Sequence, residues 1–388
     1  MEDIECNKKF KTTPSSEEIK QVIQNTKTPL VFKNTLSWDL LHWSLEDWVE
    51  KLGNPKLNFR IGTKKCTKVP QWESNCPVVS GTLNELLDDA NASSDTWMYF
   101  DYKHMNQHFK TKTNLLETVS WADFGFPDKS GNDSTIWIGT EGANTPCHMD
   151  SYGYNIVAQV YGRKLWVMFP PCKTSLLKPT RVPYEESSVY SKINFTCGLS
   201  DLQSVGEAHV VELSPGDVLV VPSHWWHYVE NLTTAISINM WVPLETDHTS
   251  RLQEALVRFF VSSTLRTFCM KPETPLLNPN EADLLDQPID LQQLSWCVDQ
   301  VVAHKVSTRE DNSVPTTSYP GYVSTVSTMS AVDLQRLLLS KCGCISDCTA
   351  NSSPSESPPL SVEHVIDAFC HPDIIAKVAE TLLSISKK

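Results

Sequence analysis

Gly139-Thr140-Glu141-Gly142-Ala143-Asn144-Thr145-Pro146-Cys147-His148-Met149-Asp150 is the stretch on which the reading of this chain turns. It ends in a His-x-Asp. In a strand, residues two apart point to the same face, so His148 and Asp150 are placed to bind one cation together. Taken alone, such a pair is far more often a surface contact or a helix cap than a ligand pair. Short apolar runs separated by Gly, Pro, Asn and Asp lie on both sides: Trp97–Phe100, Thr135–Gly139, Ile156–Val160, Leu165–Phe169, Val210–Leu213, Val218–Val221 and Ala235–Val242. Many short strands with such punctuation predict an all-β sandwich or barrel. Ser214-Pro215-Gly216-Asp217, between two of the runs, reads as a hairpin turn.

A third candidate ligand follows the run Val218–Val221, in Ser223-His224-Trp225-Trp226-His227. Two imidazoles and one carboxylate on one side of a metal, with the other side open, form the facial triad of non-haem Fe(II) oxygenases. His224 competes with His227. The two are three apart, so an extended segment turns them to opposite faces. Trp225 and Trp226 read as packing residues that wall the metal site.

The chain has 388 residues, 40% apolar and 20% charged, enough for a sizeable core and for two to three domains at about 150 residues each. A net charge of −13 speaks against non-specific binding to nucleic acid or an anionic membrane. Eleven of the 12 tryptophans precede residue 245 and twelve of the 14 glycines precede residue 217, so only the front looks like a turn-rich globular fold. The start, Met1-Glu2-Asp3-Ile4, is acidic with no apolar core of signal-peptide length, and no apolar run reaches membrane-spanning length. The expected compartment is the cytoplasm, with the nucleus as the alternative. Twelve scattered cysteines then read as reduced thiols, and the sequons at Asn91 and Asn231 as chance matches.

Helical periods lie at both ends. Ser15 and Glu18 have capping-box spacing ahead of Ile19, Val22 and Ile23; Leu45, Trp48, Val49 and Leu52 form a second stripe, closed by Gly53. After Pro243, Leu252, Leu256, Phe259, Phe260 and Val261 form an amphipathic stretch. Residues 306–330 hold eleven Ser or Thr and read as a linker, with a short helix around Leu334–Leu339 and then a C-x-C-x3-C cluster, Cys342, Cys344 and Cys348. A zinc site there needs a fourth ligand such as Cys370, His364 or His371, and the spacing fits no standard finger. Two terminal helices follow, the second with Asp373 as its expected cap.

The stretch from Gly139 to Asp150 resembles the first metal motif of JmjC-type cupin oxygenases. Ser214–Asp217, Val221-Pro222 and Trp225-Trp226-His227 resemble the second. The resemblance covers roughly residues 20–245. It implies a mainly β protein with flanking helices, a double-stranded β-helix (jelly-roll) core and a helical, partly flexible C-terminal tail. The expected division is a lead-in at 1–55, the barrel at 56–245, a helical region at 246–305, a flexible Ser/Thr/Pro-rich linker at 306–360 and terminal helices at 361–388. The layout is similar to the small, asparaginyl-hydroxylase-like branch. Within it, His148–Gly153, Pro183–Ser188 and Lys192-Ile193-Asn194 resemble members associated with small heat-shock proteins, which implies such a partner and a stress-response setting. The resemblance also implies Fe(II) held by His148, Asp150 and His227, 2-oxoglutarate as cosubstrate, a protein substrate for hydroxylation, and a homodimer through C-terminal helices.

For the cosubstrate, the resemblance places Lys164 on the distal carboxylate. Arg163 is its neighbour, and adjacent strand residues face oppositely, so only one points inward. Thr145 matches a hydroxyl used on the same carboxylate, and Tyr99 the phenol that completes the pocket, with Tyr102 as its rival. Asn155 and Asn239 match inward-facing amides near the cosubstrate, although Asn155 also reads as a turn residue. A non-catalytic binding module on the same fold is the alternative to an enzyme.

Overall fold

The computed structural model describes residues 14–85, 95–196, 200–268, 275–281, 283–286, 289–304, 321–341 and 359–386. Its strands are β1 (Leu30–Phe32), β2 (Leu57–Thr63), β3 (Val78–Gly81), β4 (Thr96–His104), β5 (Thr135–Gly139), β6 (Asn144–Asp150), β7 (Tyr154–Tyr161), β8 (Lys164–Phe169), β9 (Pro179–Glu185), β10 (Ser188–Ser191), β11 (Ala208–Leu213), β12 (Val218–Val221), β13 (Trp226–Asn231), β14 (Ala235–Val242), β15 (Val323–Thr325) and β16 (Thr328–Met329). They form two antiparallel sheets. The larger runs β15-β1-β12-β7-β14-β5-β4-β2-β3, the smaller β16-β11-β8-β13-β6-β10-β9. From β5 to β8 and again from β11 to β14, each strand lies in the sheet opposite its predecessor. That alternation is the expected double-stranded β-helix.

It also corrects one expectation. Ser214–Asp217 is not a hairpin: β11 pairs with β8 while β12 pairs with β7 and β1. The turn carries the chain from one sheet to the other. The Gly162-Arg163 turn between β7 and β8 does the same. Gly162 has φ 61°, and a Cβ there would sit 2.0 Å from the Thr234 carbonyl oxygen, so a glycine is needed.

Period-2 patterning decides what each strand contributes. In β7, Ile156, Ala158 and Val160 face a core shared with the N-terminal segments, including Ile19, Trp48 and Trp121, whereas Val157 faces the space between the sheets. In β8, Leu165, Val167 and Phe169 face an outer cluster and Trp166 and Met168 face inward. Both faces of these central strands are therefore covered, which is why they read as continuous apolar runs. Helix Ser16–Asn25 carries the expected Ser15/Glu18 capping box, and helix Leu45–Leu52 ends at Gly53 with φ 79°.

Beyond the barrel, helix Asp247–Thr267 packs on Leu291–His304 and Pro372–Ile385, and Val362–Phe369 returns to β9. The last helix is capped by His371, whose ring accepts from the Asp373 amide, so Asp373 is not its cap. Residues 321–341, expected within the flexible linker, are built structure: β15 pairs with β1, β16 pairs with β11, and Ala331–Lys341 is a helix. Edge strands are held through backbone groups and need few apolar side chains; here Val323 and Val326 supply the burial. Residues 306–320 and 342–358 of that linker, with Cys342, Cys344 and Cys348 among them, lie outside the described residues, as does Asn91. Cys66 is disulfide-bonded, against the expectation of reduced thiols throughout, whereas Cys76, Cys147, Cys172, Cys297 and Cys370 are free. Among the described residues no helix is long and apolar enough to cross a membrane.

Candidate metal and cosubstrate site

The two sheets enclose a cavity of about 400 Å³, lined by His148, Asp150, His227, Lys164, Thr145, Tyr99, Asn155 and Asn239 among others. The three metal candidates His148, Asp150 and His227 and the five cosubstrate candidates Lys164, Thr145, Tyr99, Asn155 and Asn239 thus meet in one space. Ligand atoms of His148, Asp150 and His227 all lie within 4.8 Å of one another. The two histidines are direct cross-strand partners in the β6–β13 register, with ring centroids 4.2 Å apart. Asp150 follows His148 by two residues and shares its face.

The local bonding prepares both imidazoles. His148 Nδ1 lies 2.9 Å from the Pro146 carbonyl oxygen, and His227 Nδ1 lies 2.9 Å from that of Trp225. A carbonyl only accepts, so each Nδ1 carries the proton and each Nε2 keeps its lone pair for a cation. Burial and the neighbouring His148 hold His227 down at about 4, which keeps it neutral. Asp150 Oδ2 accepts from the Trp241 indole at 2.9 Å and from the Asn155 amide at 3.4 Å. Asn239 donates to Asn155 Oδ1 at 2.8 Å and accepts from the Trp137 indole at 2.7 Å. Two neutral imidazoles and a carboxylate suit a divalent transition metal.

Thr145 and His148 are three apart, so simple alternation would turn them to opposite faces. A bulge resolves this: His227 pairs with His148 but Val229 pairs with Thr145, leaving β6 one residue longer than β13. Pro146 sits inside that irregularity, where its missing N–H is tolerated.

Lys164 is 1% exposed. Its ammonium donates to Ser237 Oγ at 2.7 Å and to Tyr99 Oη at 3.2 Å, and the Thr145 hydroxyl bonds to the same phenol. No carboxylate among the described residues pairs with it. Asp101, the nearest influence of that sign, is engaged by Arg60 at 2.7 Å. Burial therefore pulls Lys164 down to about 7. A buried cation with only neutral partners, facing a cavity, fits an anionic group of the cosubstrate.

Some expectations fall elsewhere. His224 has φ 65°, donates its backbone N–H to the Asp150 carbonyl and meets Ser250 Oγ at 3.2 Å, so it lies outside the triad. Arg163 pairs with Glu212 at the surface, as Lys164 pointing inward requires. Trp225 and Trp226 do not wall the metal site: their indoles donate to the Lys27 carbonyl and the Thr174 hydroxyl, and Trp226 packs in the outer cluster. Trp166 stacks on His227 instead, centroids 5.6 Å apart. Tyr99 and Tyr102 both line the cavity, but only Tyr99 meets Lys164. Ser237 and Trp241 were missed. Both lie two residues from Asn239 on β14, so the strand period alone would have placed all three on one face.

A cupin-like domain model matches residues 15–247. The chain belongs to the cupin-like, JmjC-type domain family. This cupin-like chain is 42% identical over 301 residues to HSPB1-associated protein 1 of Homo sapiens, covering 73% of this chain and 61% of that protein. It is 39% identical over 313 residues to HSPB1-associated protein 1 homolog of Danio rerio, covering 76% and 70%. It is also 26% identical over 222 residues to 2-oxoglutarate and iron-dependent oxygenase JMJD4 of Danio rerio, covering half of each. The cupin-like chain therefore spans about three fifths of the length of the human protein it matches.

Proposed function

We propose that this chain is an Fe(II)- and 2-oxoglutarate-dependent oxygenase that hydroxylates a protein side chain and works alongside a small heat-shock protein. The observation that carries the reading is Lys164, a buried amine with no carboxylate partner among the described residues, in the same cavity as the His148–Asp150–His227 cluster. Iron(II) with 2-oxoglutarate supplies coupled oxidation by dioxygen, giving succinate, carbon dioxide and a hydroxylated C–H position. The chain's own residues bind and orient. His148 Nε2, His227 Nε2 and one Asp150 oxygen would hold the metal, while Trp241 and Asn155 fix the other oxygen. Lys164, Tyr99, Thr145 and Ser237 would hold the distal carboxylate, and Trp166 and Val157 keep the floor of the cavity apolar.

Support for the oxygenase chemistry also comes from the name of the Danio rerio oxygenase, and for the heat-shock-protein link from the names of the more similar relatives. Anaerobic Fe(II) titration and 2-oxoglutarate decarboxylation test the reading, comparing wild type with His148→Ala and Asp150→Ala. Binding and turnover in wild type, both lost in the variants, are expected; a wild type that binds no iron sinks it. The relatives' names favour a second reading, a binding protein that needs no chemistry. Pull-down of a small heat-shock protein that is unchanged by Asp150→Ala, with no hydroxylation of any captured protein, would select it.

A further inference from the structure

Helix Asp247–Thr267, the first element after the barrel, buries a polar stripe. Asp247, Ser250 and Glu254 are 3%, 6% and 2% exposed. At about 100° of turn per residue they fall within about 60° of one another around the helix axis. A helix that only covered the barrel would bury apolar side chains there, because a buried carboxylate is costly without partners. Elsewhere this helix does so, with Leu252, Val257, Val261 and Leu265. The three polar residues instead meet the segments that carry or hold the metal candidates.

Asp247 divides its two oxygens. Oδ2 accepts from the Leu244 N–H at 2.8 Å and closes the first turn of the helix, while Oδ1 accepts from the Gly153 N–H at 3.0 Å. Gly153 leads into β7 and Leu244 follows β14, and the register of these two strands sets Asn155 opposite Trp241. Asn155 and Trp241 are the residues that hold Asp150 Oδ2. Glu254 accepts from Ser151 Oγ at 2.8 Å and from the Ser187 N–H at 3.1 Å, which fixes the residue after Asp150. Ser250 Oγ meets His224 Nε2 at 3.2 Å, and the His224 N–H donates to the Asp150 carbonyl oxygen at 2.9 Å. His224, three residues before His227, has φ 65°. That conformation costs a non-glycine residue roughly 1–3 kcal/mol and persists only where contacts such as these hold it.

We propose that Asp247, Ser250 and Glu254 are positioning residues for the His148–Asp150–His227 cluster, acting through Gly153, His224 and Ser151. None of the three lines the cavity, so each reaches a bound cation only through the backbone it holds. Their ties converge on Asp150: on its carbonyl, on the residue after it, and on the strand ends beside the two residues that grip its Oδ2. The Ser250–His224 tie also fixes the turn that leads into His227. A helix outside the barrel thus sets how the carboxylate faces the two imidazoles, and a shift of that carboxylate weakens every metal bond made with it. The inference rests on the metal reading of this cluster.

Two measurements on the full chain test this with Asp247→Asn, Ser250→Ala and, as a control, Val261→Ala, which trims the apolar part of the same helix. Co(II) titration followed by visible absorption reads affinity and ligand geometry together. Asp247→Asn and Ser250→Ala are each expected to weaken Co(II) by about tenfold or more and to move its absorption bands. Val261→Ala should lower Tm and leave both affinity and bands as in wild type. Hydrogen exchange of the metal-free protein, read by mass spectrometry on peptides spanning 150–156 and 222–228, is the second measurement. Exchange there should quicken by about tenfold in the two stripe variants, as loss of one hydrogen bond implies, and not in the control. Wild-type affinity and bands in both stripe variants, or a control that weakens Co(II) as much as they do, overturns the proposal. A wild type that binds no Co(II) sinks the oxygenase reading, and exchange then decides this one: selective quickening in the stripe variants sustains the ties, and equal exchange in all three variants ends them.

Discussion

The indole N–H of Trp241 donates to Asp150 Oδ2 at 2.9 Å, leaving Oδ1 turned toward His148 Nε2 at 3.6 Å. The carboxylate is thereby divided into one oxygen held by the protein and one offered to a cation. Trp137, Asn239 and Asn155 extend the hold on the first oxygen through successive hydrogen bonds. Outer partners of this kind orient a ligand and set its basicity. Trp241→Phe is therefore expected to weaken Co(II) binding by about 10- to 100-fold while the fold persists. Visible absorption during Co(II) titration reads the affinity directly, and an unchanged affinity would deny Trp241 the role.

Lys164 costs the empty protein stability. Its folded pKa, about 7, lies below its ordinary value of 10.5. At pH below 7 the ammonium is charged in both folded and unfolded chains, and the full penalty of burial applies. Between 7 and 10.5 the unfolded chain binds more protons than the folded one, so stability rises with pH. Lys164→Met should accordingly raise Tm, most at pH 6 and progressively less above pH 7, while abolishing 2-oxoglutarate binding. Thermal melts at several pH values check the trend.

The same shift predicts how the cosubstrate binds. Above pH 7 Lys164 is largely neutral in the empty site, and pairing with a carboxylate restores its charge. 2-Oxoglutarate binding should then take up a proton, and its affinity should fall by up to about tenfold per pH unit. Calorimetry in two buffers of different ionisation enthalpy measures the uptake. Identical heats in both buffers at pH 8 would contradict it.

Arg181 and Glu254 form a buried double contact between β9 and helix Asp247–Thr267, and Glu254 also accepts from Ser151 Oγ at 2.8 Å and the Ser187 N–H at 3.1 Å. Removing one partner strands a buried charge. Glu254→Ala is expected to cost about 3–5 kcal/mol in urea unfolding, whereas Arg181→Met/Glu254→Leu together should cost less than either change alone. Because Ser151 follows Asp150, the single variant should also broaden Co(II) binding.

The sequence made the inner strands legible because they obey period 2 under cover on both faces: Thr135–Gly139, Val218–Val221 and Ala235–Val242 fall where the apolar runs lie. The same period put His148 and Asp150 on one face, while their role as ligands and the choice of His227 came from the resemblance of the two motifs. What escaped depends on relations between distant segments. The bulge that turns Thr145 to the Tyr99 phenol, which Lys164 also meets, exists only in the pairing of β6 with β13. The strands Val323–Thr325 and Thr328–Met329 sit in a Ser- and Thr-rich stretch because an edge contributes backbone donors and acceptors, which no composition records. The switch of sheets at Ser214–Asp217 has the residues of a hairpin and a different partner on each side.

His148 and His227 stand opposite each other across one pair of strands. A slip of one residue between β6 and β13 would send one imidazole to the outer cluster and leave the carboxylate with a single nitrogen donor. Correct pairing is thus a condition for the cluster to hold a cation, and a cation held there would in turn lock the pairing. Metal affinity would serve as a proofreading signal for barrel assembly, distinguishing a properly threaded chain from a misthreaded one that is equally compact.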